Sequence, residues 1–312
     1  MKLLTIKQAE NFVNLAVERL YIYIESNHLD SAVIGVSGGI DSAVMATILR
    51  RTDHKLNEDK YEFRGLYYFI DIDSELTDLD KAKELSEMLK LQLKEIDLTD
   101  WFSKSPLTTD DRLKYHPRAR YALGNIKCRL RMITLYNEAQ LHNGIVLDTD
   151  DFSEELMGFW TLHGDVGDVK IIQQLTKTEV YDLGEYLGLP KSILSSDPGD
   201  GLKVTDTSKA QDQLGLPYIQ IEYIMSRFVE AGFDYNGGLY QLDEPKCQKL
   251  IKDVANILKT DADKITAVIK QSLRTSFKRK SGNCGIIFLP DRQEFGLPTF
   301  GTSEFSQRYY EL

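Results

Sequence analysis

The chain has 312 residues, of which 42% are hydrophobic, and its 48 acidic and 38 basic side chains give a formal net charge of −10. This length and hydrophobic content allow a complete core in one large domain, whereas the negative charge argues against a nucleic-acid partner, whose phosphates need a basic protein face. No run approaches roughly 18 consecutive apolar residues and the N-terminus lacks the apolar stretch of a signal peptide, so we expect no membrane partner and a cytoplasmic location.

Strand and helix patterns alternate through the first 200 residues. An amphipathic helix at 7–26 is followed by a short apolar strand at 32–36. Further strands are predicted at 63–70, 91–96 and 145–147, and further helices at 75–90, 117–142 and 178–187. Strands separated by helices of this length predict an α/β fold, a doubly wound parallel sheet flanked by helices.

Residues 199–213 are the most loop-like segment, and their composition fits a mobile lid and a plain surface loop equally well. Helix patterns at 218–229, 245–258 and 262–273 then predict a helical C-terminal extension. No composition shift marks a second domain. We therefore expect a single domain over 1–312, with an α/β nucleotide-binding core at 7–200 and the loop and extension at 201–312. The sequence assigns no purpose to the final segment, 282–312.

The turn after the first strand, Ser37-Gly38-Gly39-Ile40-Asp41-Ser42, leads directly into a helix. Glycines allow close backbone approach, and the unpaired N–H groups and dipole of a helix N-terminus favour an anion, so we predict a bound phosphate. The loop lacks the Lys-Ser/Thr pair of the Walker-type NTPases and the third glycine of the Rossmann fingerprint. Asp41 would repel a phosphate about 4 Å away by about 4 kcal/mol, so we expect Mg²⁺ between them. The alternative is that Ser37 or Asp41 only caps the helix.

A second dense motif, Gly124-Asn125-Ile126-Lys127-Cys128-Arg129-Leu130-Arg131-Met132, lies on the long helix predicted at 117–142. Helical spacing predicts that Ile126, Leu130 and Ile133 face the core and that Arg129 lies beside them. There a guanidinium could bind a carboxylate or phosphate through two hydrogen bonds. The alternative is a solvated basic face.

The third motif, Asp148-Thr149-Asp150-Asp151-Phe152-Ser153-Glu154, directly follows the fourth predicted strand. Ligands of open parallel sheets bind at the carboxyl ends of strands, so Thr149 and Glu154 are expected in the same crevice as Ser37–Ser42. Glu154 could share a cation with Asp41, whereas Asp151 and Glu154 could equally form a helix-capping pair.

These blocks, together with Gly158-Phe159-Trp160-Thr161, Gly164-Asp165 and Leu175-Thr176-Lys177, resemble the ammonia-dependent NAD synthetases of the ATP pyrophosphatase (PP-loop) superfamily over residues 7–230. The resemblance implies an adenine nucleotide alpha-hydrolase-like fold and a ligase that converts ATP, deamido-NAD (nicotinic acid adenine dinucleotide) and ammonia into NAD, AMP and pyrophosphate through an NAD-adenylate. It also implies a homodimer whose helices complete the dinucleotide site. Glutamine-dependent relatives carry an additional amidase domain, for which we expect no room in this chain.

The resemblance further implies roles for individual residues. The residues expected to bind ATP and the departing pyrophosphate are Ser37, Gly38, Gly39, Ile40, Asp41, Ser42, Thr149 and Lys177. Those expected to bind deamido-NAD are Tyr121, Arg129, Asp165, Asp168 and Lys278. Asp41 and Glu154 would ligate Mg²⁺, and Asp41 and Asp165 would be catalytic, with Asp165 accepting a proton from ammonium.

Two positions depart from the family pattern. Leu162 stands where the family has a lysine that meets the dinucleotide, and Phe277 stands where it has a histidine. The alternative functions are a tRNA-modifying ATP pyrophosphatase and, if these departures mark decay, a non-catalytic nucleotide sensor.

Overall fold

The computed structural model of the protein describes residues 2–164, 167–199, 202, 209–280 and 291–309. Within those residues the strands are Ser31–Gly35 (β1), Arg64–Asp71 (β2), Leu93–Asp97 (β3), Gly144–Asp148 (β4) and Val169–Lys170 (β5). They form one parallel sheet in the order β3-β2-β1-β4-β5.

The strand order reverses between β1 and β4. The chain moves outward from β1 to β2 and β3, and then returns to add β4 and β5 on the other side of β1. In the register of the central pair, Ser31 lies opposite Gly144 and Val33 opposite Val146. Connections leaving β1 and β4 therefore diverge at their carboxyl ends, which opens a crevice there.

Helices pack on both faces of the sheet and continue into the C-terminal part. The α-helices are Ile6–Ser26 (α1), Ile40–Glu58 (α2), Leu76–Leu89 (α3), Thr99–Lys104 (α4), Ala119–Leu141 (α5), Phe152–Met157 (α6), Lys177–Leu187 (α7), Lys191–Leu194 (α8), Ala210–Leu214 (α9), Tyr218–Glu230 (α10), Pro245–Leu258 (α11), Ala262–Arg274 (α12), Ser276–Lys280 (α13) and Ser303–Gln307 (α14). Short 3₁₀ turns lie at Asp111–Lys114, Leu239–Asp243 and Arg292–Phe295. The predicted α/β class and helical C-terminal extension are confirmed. No described helix is long and apolar enough to cross a bilayer.

Successive residues of β1 face different cores, because side chains alternate along a strand. Ala32 and Ile34 pack with α1, α2 and α7, whereas Val33 packs on the opposite face with Tyr68 and Val146. A separate apolar cluster fills the C-terminal part around α10, α11 and α12. Leu156 and Met157 belong to that cluster, so α6 is attached to the C-terminal extension.

The predicted core face of α5 is wrong at Ile133, whose side chain is 58% exposed. The buried residues of this helix are Gly124, Lys127, Cys128 and Ala139. Successive helical residues are about 100° apart, so a face that contains Cys128 and Ala139 leaves Ile133 on the opposite side. The helix is therefore rotated relative to the orientation that its apolar residues predicted.

Candidate active site

The turn Ser37–Ser42 connects β1 to α2 and folds back on itself through its two serines. The Ser37 N–H donates to Ser42 Oγ at 3.2 Å, and the Ser42 hydroxyl donates to Gly39 O at 3.0 Å. Gly38 has φ +84°, and a Cβ added there would lie 2.4 Å from Asp78 O, so only glycine fits. The N-cap residue of α2 is Gly39, and no side chain among the described residues caps this helix. The alternative that Ser37 or Asp41 only caps the helix is therefore wrong, and the first turn of α2 is available to an anion.

Three carboxylates and one lysine converge beside this turn. Asp41 lies in the first turn of α2, Asp151 is the N-cap of α6, Glu154 lies in α6, and Lys177 is the first residue of α7. Lys177 Nζ is 2.7 Å from Asp41 Oδ2, 3.0 Å from Asp151 Oδ2 and 3.0 Å from Glu154 Oε1. We call these four residues the acidic cluster. The structure thus brings together Asp41, Glu154 and Lys177, which the sequence placed in one site.

Asp151 is a member of this cluster that sequence reasoning left undecided, since it assigned the residue only to a possible capping pair. The pair exists, because Asp151 Oδ1 accepts the Glu154 N–H at 2.8 Å and Glu154 Oε2 accepts the Asp151 N–H at 3.2 Å. The other oxygen of each carboxylate faces Lys177. The capping pair is therefore confirmed, whereas a metal ion shared by Glu154 and Asp41 stays a prediction.

Burial and the repulsion between neighbouring carboxylates raise the pKa values of Asp151 and Glu154. Burial, together with the Asp41 carboxylate, raises the pKa of Glu154 to about 7, although Lys177 opposes the shift. Burial likewise raises the pKa of Asp151, and Glu154 and Asp41 add to that shift. Burial disfavours the charged form of Lys177, yet the carboxylates of Asp151, Asp41 and Glu154 outweigh it and raise the pKa of Lys177 well above its ordinary value. The Lys177 ammonium group is thus the shared partner of Asp41, Asp151 and Glu154.

The donor set of the acidic cluster fits Mg²⁺. One ligand oxygen from each of Asp41, Asp151 and Glu154 lies within 4.8 Å of the others. Asp41 Oδ1 and Asp151 Oδ2 are buried and accept no hydrogen bond within the described part of the chain, although Asp151 Oδ2 is ion-paired with Lys177. Carboxylate oxygens are the ligands that Mg²⁺ prefers, and a divalent cation would offset the excess negative charge.

The N-terminus of α7 differs from that of α2, because protein side chains occupy its N–H groups. The Lys177 N–H donates to Ser153 Oγ at 2.9 Å, and the Thr178 N–H donates to Glu222 Oε1 at 3.1 Å. The Glu179 N–H donates to the Thr176 hydroxyl at 3.4 Å. The start of α2 thus offers backbone N–H groups to an anion, whereas the start of α7 offers the Lys177 side chain. Ser153 and Glu222, which sequence reasoning missed, hold this helix end in place.

Thr149 follows β4 directly and is half-buried at the carboxyl edge of the sheet. This position agrees with its predicted place beside Ser37–Ser42, since β4 is the neighbour of β1.

The predicted dinucleotide residues of α5 lie against the segment that follows α6. Arg129 Nη2 donates to Leu162 O at 3.0 Å, and the Thr161 hydroxyl donates to Asn125 Oδ1 at 2.9 Å. Arg129 is half-buried and hydrogen-bonded, so the solvated-face alternative is wrong for it. Tyr121 is 54% exposed on the first turn of the same helix.

Asp168 and Lys278 both make contacts within the protein. Asp168 Oδ1 accepts the Tyr136 hydroxyl at 3.0 Å, and Asp168 Oδ2 accepts the Val146 N–H at 2.8 Å. Lys278 Nζ donates to Gly158 O at 2.7 Å and to Trp160 O, and lies 5.2 Å from the centre of the Trp160 ring. Asp165, the remaining predicted residue, lies outside the described residues.

Comparison with known proteins decides the family. A family model described as NAD synthase matches residues 12–282, well over half of the chain. The chain belongs to the NAD synthase family. An NH(3)-dependent NAD(+) synthetase of Thermoplasma acidophilum is 34% identical over 226 residues, which cover 71% of this chain and 84% of that protein.

Solved structures agree with the NAD synthase fold. An NMN synthetase from Francisella tularensis aligns with a TM-score of 0.64 at 24% identity, covering 90% of this chain and 98% of the other. An NH3-dependent NAD synthetase from Campylobacter jejuni aligns with a TM-score of 0.60 at 22% identity, covering 90% and 99% of the two chains. At these identities the likeness concerns the fold. The family assignment confirms the predicted resemblance and the enzyme class, a ligase of NAD biosynthesis that forms an amide C–N bond with ATP as co-substrate.

Proposed function

We propose that the protein is an ammonia-dependent NAD synthetase, which converts ATP, deamido-NAD and ammonia into NAD, AMP and pyrophosphate. The observation that carries this proposal is the acidic cluster beside the open N-terminus of α2, in a chain of the NAD synthase family. The name of the archaeal relative, of which the chain covers 84%, supports ammonia as the nitrogen donor. The chain offers no comparable support for a tRNA-modifying enzyme.

ATP is proposed to bind with its phosphates at the turn Ser37–Ser42. The first-turn N–H groups of α2 and the helix dipole favour the charge that builds on the departing pyrophosphate. Lys177 supplies a positive charge from the start of α7, and Thr149 contributes a hydroxyl from the end of β4. In this proposal the Lys177 ammonium group contacts phosphate oxygens of ATP in place of some of its ion pairs with the three carboxylates.

Mg²⁺ is proposed to be held by Asp41 and Glu154, with Asp151 as a third carboxylate beside them. When bound, the ion neutralises phosphate charge that Asp41 would otherwise repel. The hard oxygen donors and the buried oxygens without hydrogen bonds support this assignment.

The dinucleotide is proposed to bind along α5 and the segments that this helix contacts. Tyr121, Arg129, Asp165, Asp168 and Lys278 remain the proposed contacts, on the strength of the family resemblance. The half-buried position of Arg129 beside Leu162 O supports its role, since a guanidinium there retains donors for a carboxylate or phosphate.

A homodimer is proposed as the state in which the dinucleotide site is complete. Large apolar side chains are exposed on and around α4 and α5, as expected of a face that a second copy covers. They are Trp101, Leu107, Tyr115, Tyr121, Ile133 and Leu141. We also retain, as proposals, one domain over 1–312 and a cytoplasmic location.

The proposed reaction has two steps. The nicotinate carboxylate of deamido-NAD attacks the α-phosphorus of ATP, the bond to the β-phosphate oxygen breaks, and an acyl-adenylate and pyrophosphate form. Asp165 is proposed to accept a proton from ammonium, and the ammonia so formed attacks the acyl carbon, loses a second proton to solvent and expels AMP. Holding the two anionic substrates in register supplies up to about 7–11 kcal/mol of the rate enhancement.

The test combines the purified chain with ATP, Mg²⁺, ammonium and deamido-NAD. NAD and AMP are expected to form in equal amounts, whereas glutamine in place of ammonium should give no NAD. Nicotinic acid mononucleotide, the carboxylic acid whose amide is NMN, is added as a competing acceptor. It is included because one of the similar solved structures is an NMN synthetase. Formation of ADP, or ATP binding without AMP formation, would contradict the proposal, and the second result would favour a nucleotide sensor.

A further inference from the structure

A buried carboxylate near the start of α7 is held by two arginines from the far end of the chain. Arg292 Nη2 lies 2.6 Å from Glu179 Oε1, and Arg292 Nη1 lies 2.9 Å from Glu179 Oε2. Arg308 Nη1 also donates to Glu179 Oε1, at 2.9 Å. Glu179 is fully buried, so these contacts are protected from solvent screening. We call residues 291–309 the terminal segment.

The same carboxylate caps the helix that carries Lys177. Glu179 Oε2 accepts the Thr176 N–H at 2.9 Å, while the Thr176 hydroxyl accepts the Glu179 N–H. This reciprocal pair fixes the backbone on both sides of Lys177. The terminal segment therefore binds the group that determines where α7 begins.

The terminal segment has anchors of its own that hold both guanidinium groups in position. Arg292 donates to Gln174 O at 2.6 Å and to Pro298 O at 3.0 Å, and Arg308 donates to Leu3 O. The buried ring of Phe305 lies 4.9 Å from the Arg292 guanidinium and 5.3 Å from that of Arg308. Such stacking restricts the guanidinium planes, so the contacts with Glu179 are preorganised.

The position of the Lys177 ammonium group depends on where α7 begins, because Lys177 is the first residue of that helix and its long side chain must reach specific carboxylates. Its ammonium group lies within 3.0 Å of three carboxylates that belong to other helices. A displacement of about 1 Å in a binding group can cost up to about a hundredfold in rate.

We propose that Arg292 and Arg308 are positioning residues for Lys177. They act through Glu179 and the first turn of α7 to hold the lysine ammonium group where it meets the phosphates of ATP. This gives a role to the terminal segment, and it rests on the proposed function, in which Lys177 contacts ATP.

The test compares Arg308→Met, Arg308→Lys and the matched control Gln293→Ala. Gln293 belongs to the same segment, but its exposed side chain donates to the Thr299 hydroxyl and makes no hydrogen bond to Glu179. Arg308→Met is expected to raise the KM for ATP about tenfold, with the KM for deamido-NAD changed less than twofold. Arg308→Lys should recover only part of that loss, because it retains the charge but not the planar guanidinium group that stacks on Phe305. Gln293→Ala should match the parent enzyme.

A double-mutant cycle with Lys177→Met tests whether Arg308 acts through Lys177. Lys177→Met alone is expected to raise the KM for ATP, and adding Arg308→Met should then raise it no further. The melting temperature, in contrast, should fall for each Arg308 variant in either background. Should Arg308→Met not fold, Arg308→Lys takes its place in the cycle, with a smaller expected change.

The outcomes separate this inference from the proposed function. If Lys177→Met leaves the KM for ATP unchanged, the assignment of Lys177 to ATP fails. If Lys177→Met raises that KM but Arg308→Met changes only the melting temperature, the positioning role is overturned and the terminal segment is merely structural. The role is equally overturned if Arg308→Met has its full effect on the KM in the Lys177→Met background.

Discussion

Lys177 Nζ donates a hydrogen bond of 2.7 Å to Asp41 Oδ2, although the two residues are 136 positions apart in the chain. The parallel sheet makes this contact possible, since Asp41 follows β1 and Lys177 follows β5. Asp151 and Glu154, which follow β4, complete the acidic cluster around the same ammonium group. Three acids interact with one ammonium group in this buried site, so a change of charge at any of the four residues should affect the other three.

Replacing Asp41 with asparagine should abolish magnesium-dependent turnover while the fold is kept. The asparagine would retain the shape of the side chain but lose the charge, so we expect AMP formation to fall at least about a hundredfold at saturating Mg²⁺. Asp53→Asn is the control on the same helix, since Asp53 interacts with Arg50, Asn57 and the Gly65 backbone and is not a member of the acidic cluster. Equal turnover in the Asp41 variant and the parent would remove Asp41 from the metal site. Glu154→Gln should behave as Asp41→Asn does.

Removing the lysine should make the stability of the protein depend on Mg²⁺. Lys177→Met leaves three neighbouring carboxylates without their cation, and an uncompensated buried charge costs about 3–5 kcal/mol. Mg²⁺ should recover much of that loss by taking the place of the ammonium group. Melting temperatures in EDTA and in Mg²⁺ measure this effect, and the gain on adding Mg²⁺ should be larger for the variant than for the parent. A gain no larger than that of the parent would argue against metal binding in the cluster.

Most of the fold, Asp41 and Glu154 were predictable because their signals are local, whereas Lys177 was predicted from the family resemblance. Apolar periodicity marks α1, α2 and β1, and the turn Ser37–Ser42 has its own glycine and serine pattern. The two-residue strand β5 has too little length for such a signal. Ile133 was misplaced because side-chain hydrophobicity alone does not reveal the rotation of a half-buried helix.

Contacts between distant segments could not be predicted from one sequence. Asp151 has a local signal for capping, but its contact with Lys177 is created by folding. Arg292 and Arg308 lie 113 and 129 positions from Glu179 and follow no recognisable motif. Asp168 was predicted from family resemblance to bind substrate, and its bonds to Tyr136 and Val146 became visible only in the structure.

Gly38→Ala should damage ATP binding more than it damages the fold. The added methyl would lie 2.4 Å from Asp78 O, and φ +84° is strained for alanine, so the turn must shift away from its present path. We expect a KM for ATP raised about tenfold or more and an unchanged KM for deamido-NAD. Gly188→Ala is the control at a helix end, since Gly188 has φ +71° but nothing near its Cβ position. A Gly38 variant with normal ATP kinetics would place the phosphates elsewhere.

Tyr218→Phe should not destabilise the protein, although Tyr218 is buried. Its hydroxyl finds no hydrogen-bond partner within the described part of the chain, and its ring lies 5.6 Å from Lys177 Nζ. An unsatisfied buried polar group costs about 1–3 kcal/mol, so removing it should leave stability unchanged or raise it by about 1 kcal/mol. Tyr68→Phe is the control, since the Tyr68 hydroxyl donates to Glu138 and accepts from Lys94. Urea unfolding should show a loss only for the Tyr68 variant, and a clear loss for Tyr218→Phe would reveal a partner for its hydroxyl.

Glu179 should make the protein sensitive to acid in a defined pH range. Burial opposes the charged form, but Arg292 and Arg308 outweigh it and lower the pKa of Glu179 from 4.5 to about 2. A carboxyl whose pKa is lower in the folded state stabilises the protein above its unfolded value. That stabilisation is lost as pH falls from about 4.5 towards 2. The shift corresponds to roughly 3 kcal/mol.

The test measures the free energy of unfolding of the Glu179→Gln variant and of the parent protein from neutral pH down to about pH 2. The glutamine can retain the reciprocal cap with Thr176 but cannot ionise, so the variant should be less stable at neutral pH and the difference should shrink as the pH falls. Asp110→Asn is the control, because Arg112 and its backbone N–H lower the pKa of the exposed Asp110 carboxyl to about 2 as well. Solvent screening weakens that pair, so its removal should change the pH dependence much less than the removal of the Glu179 charge does. A constant difference between the Glu179 variant and the parent would show that Glu179 is not held ionised by the arginines.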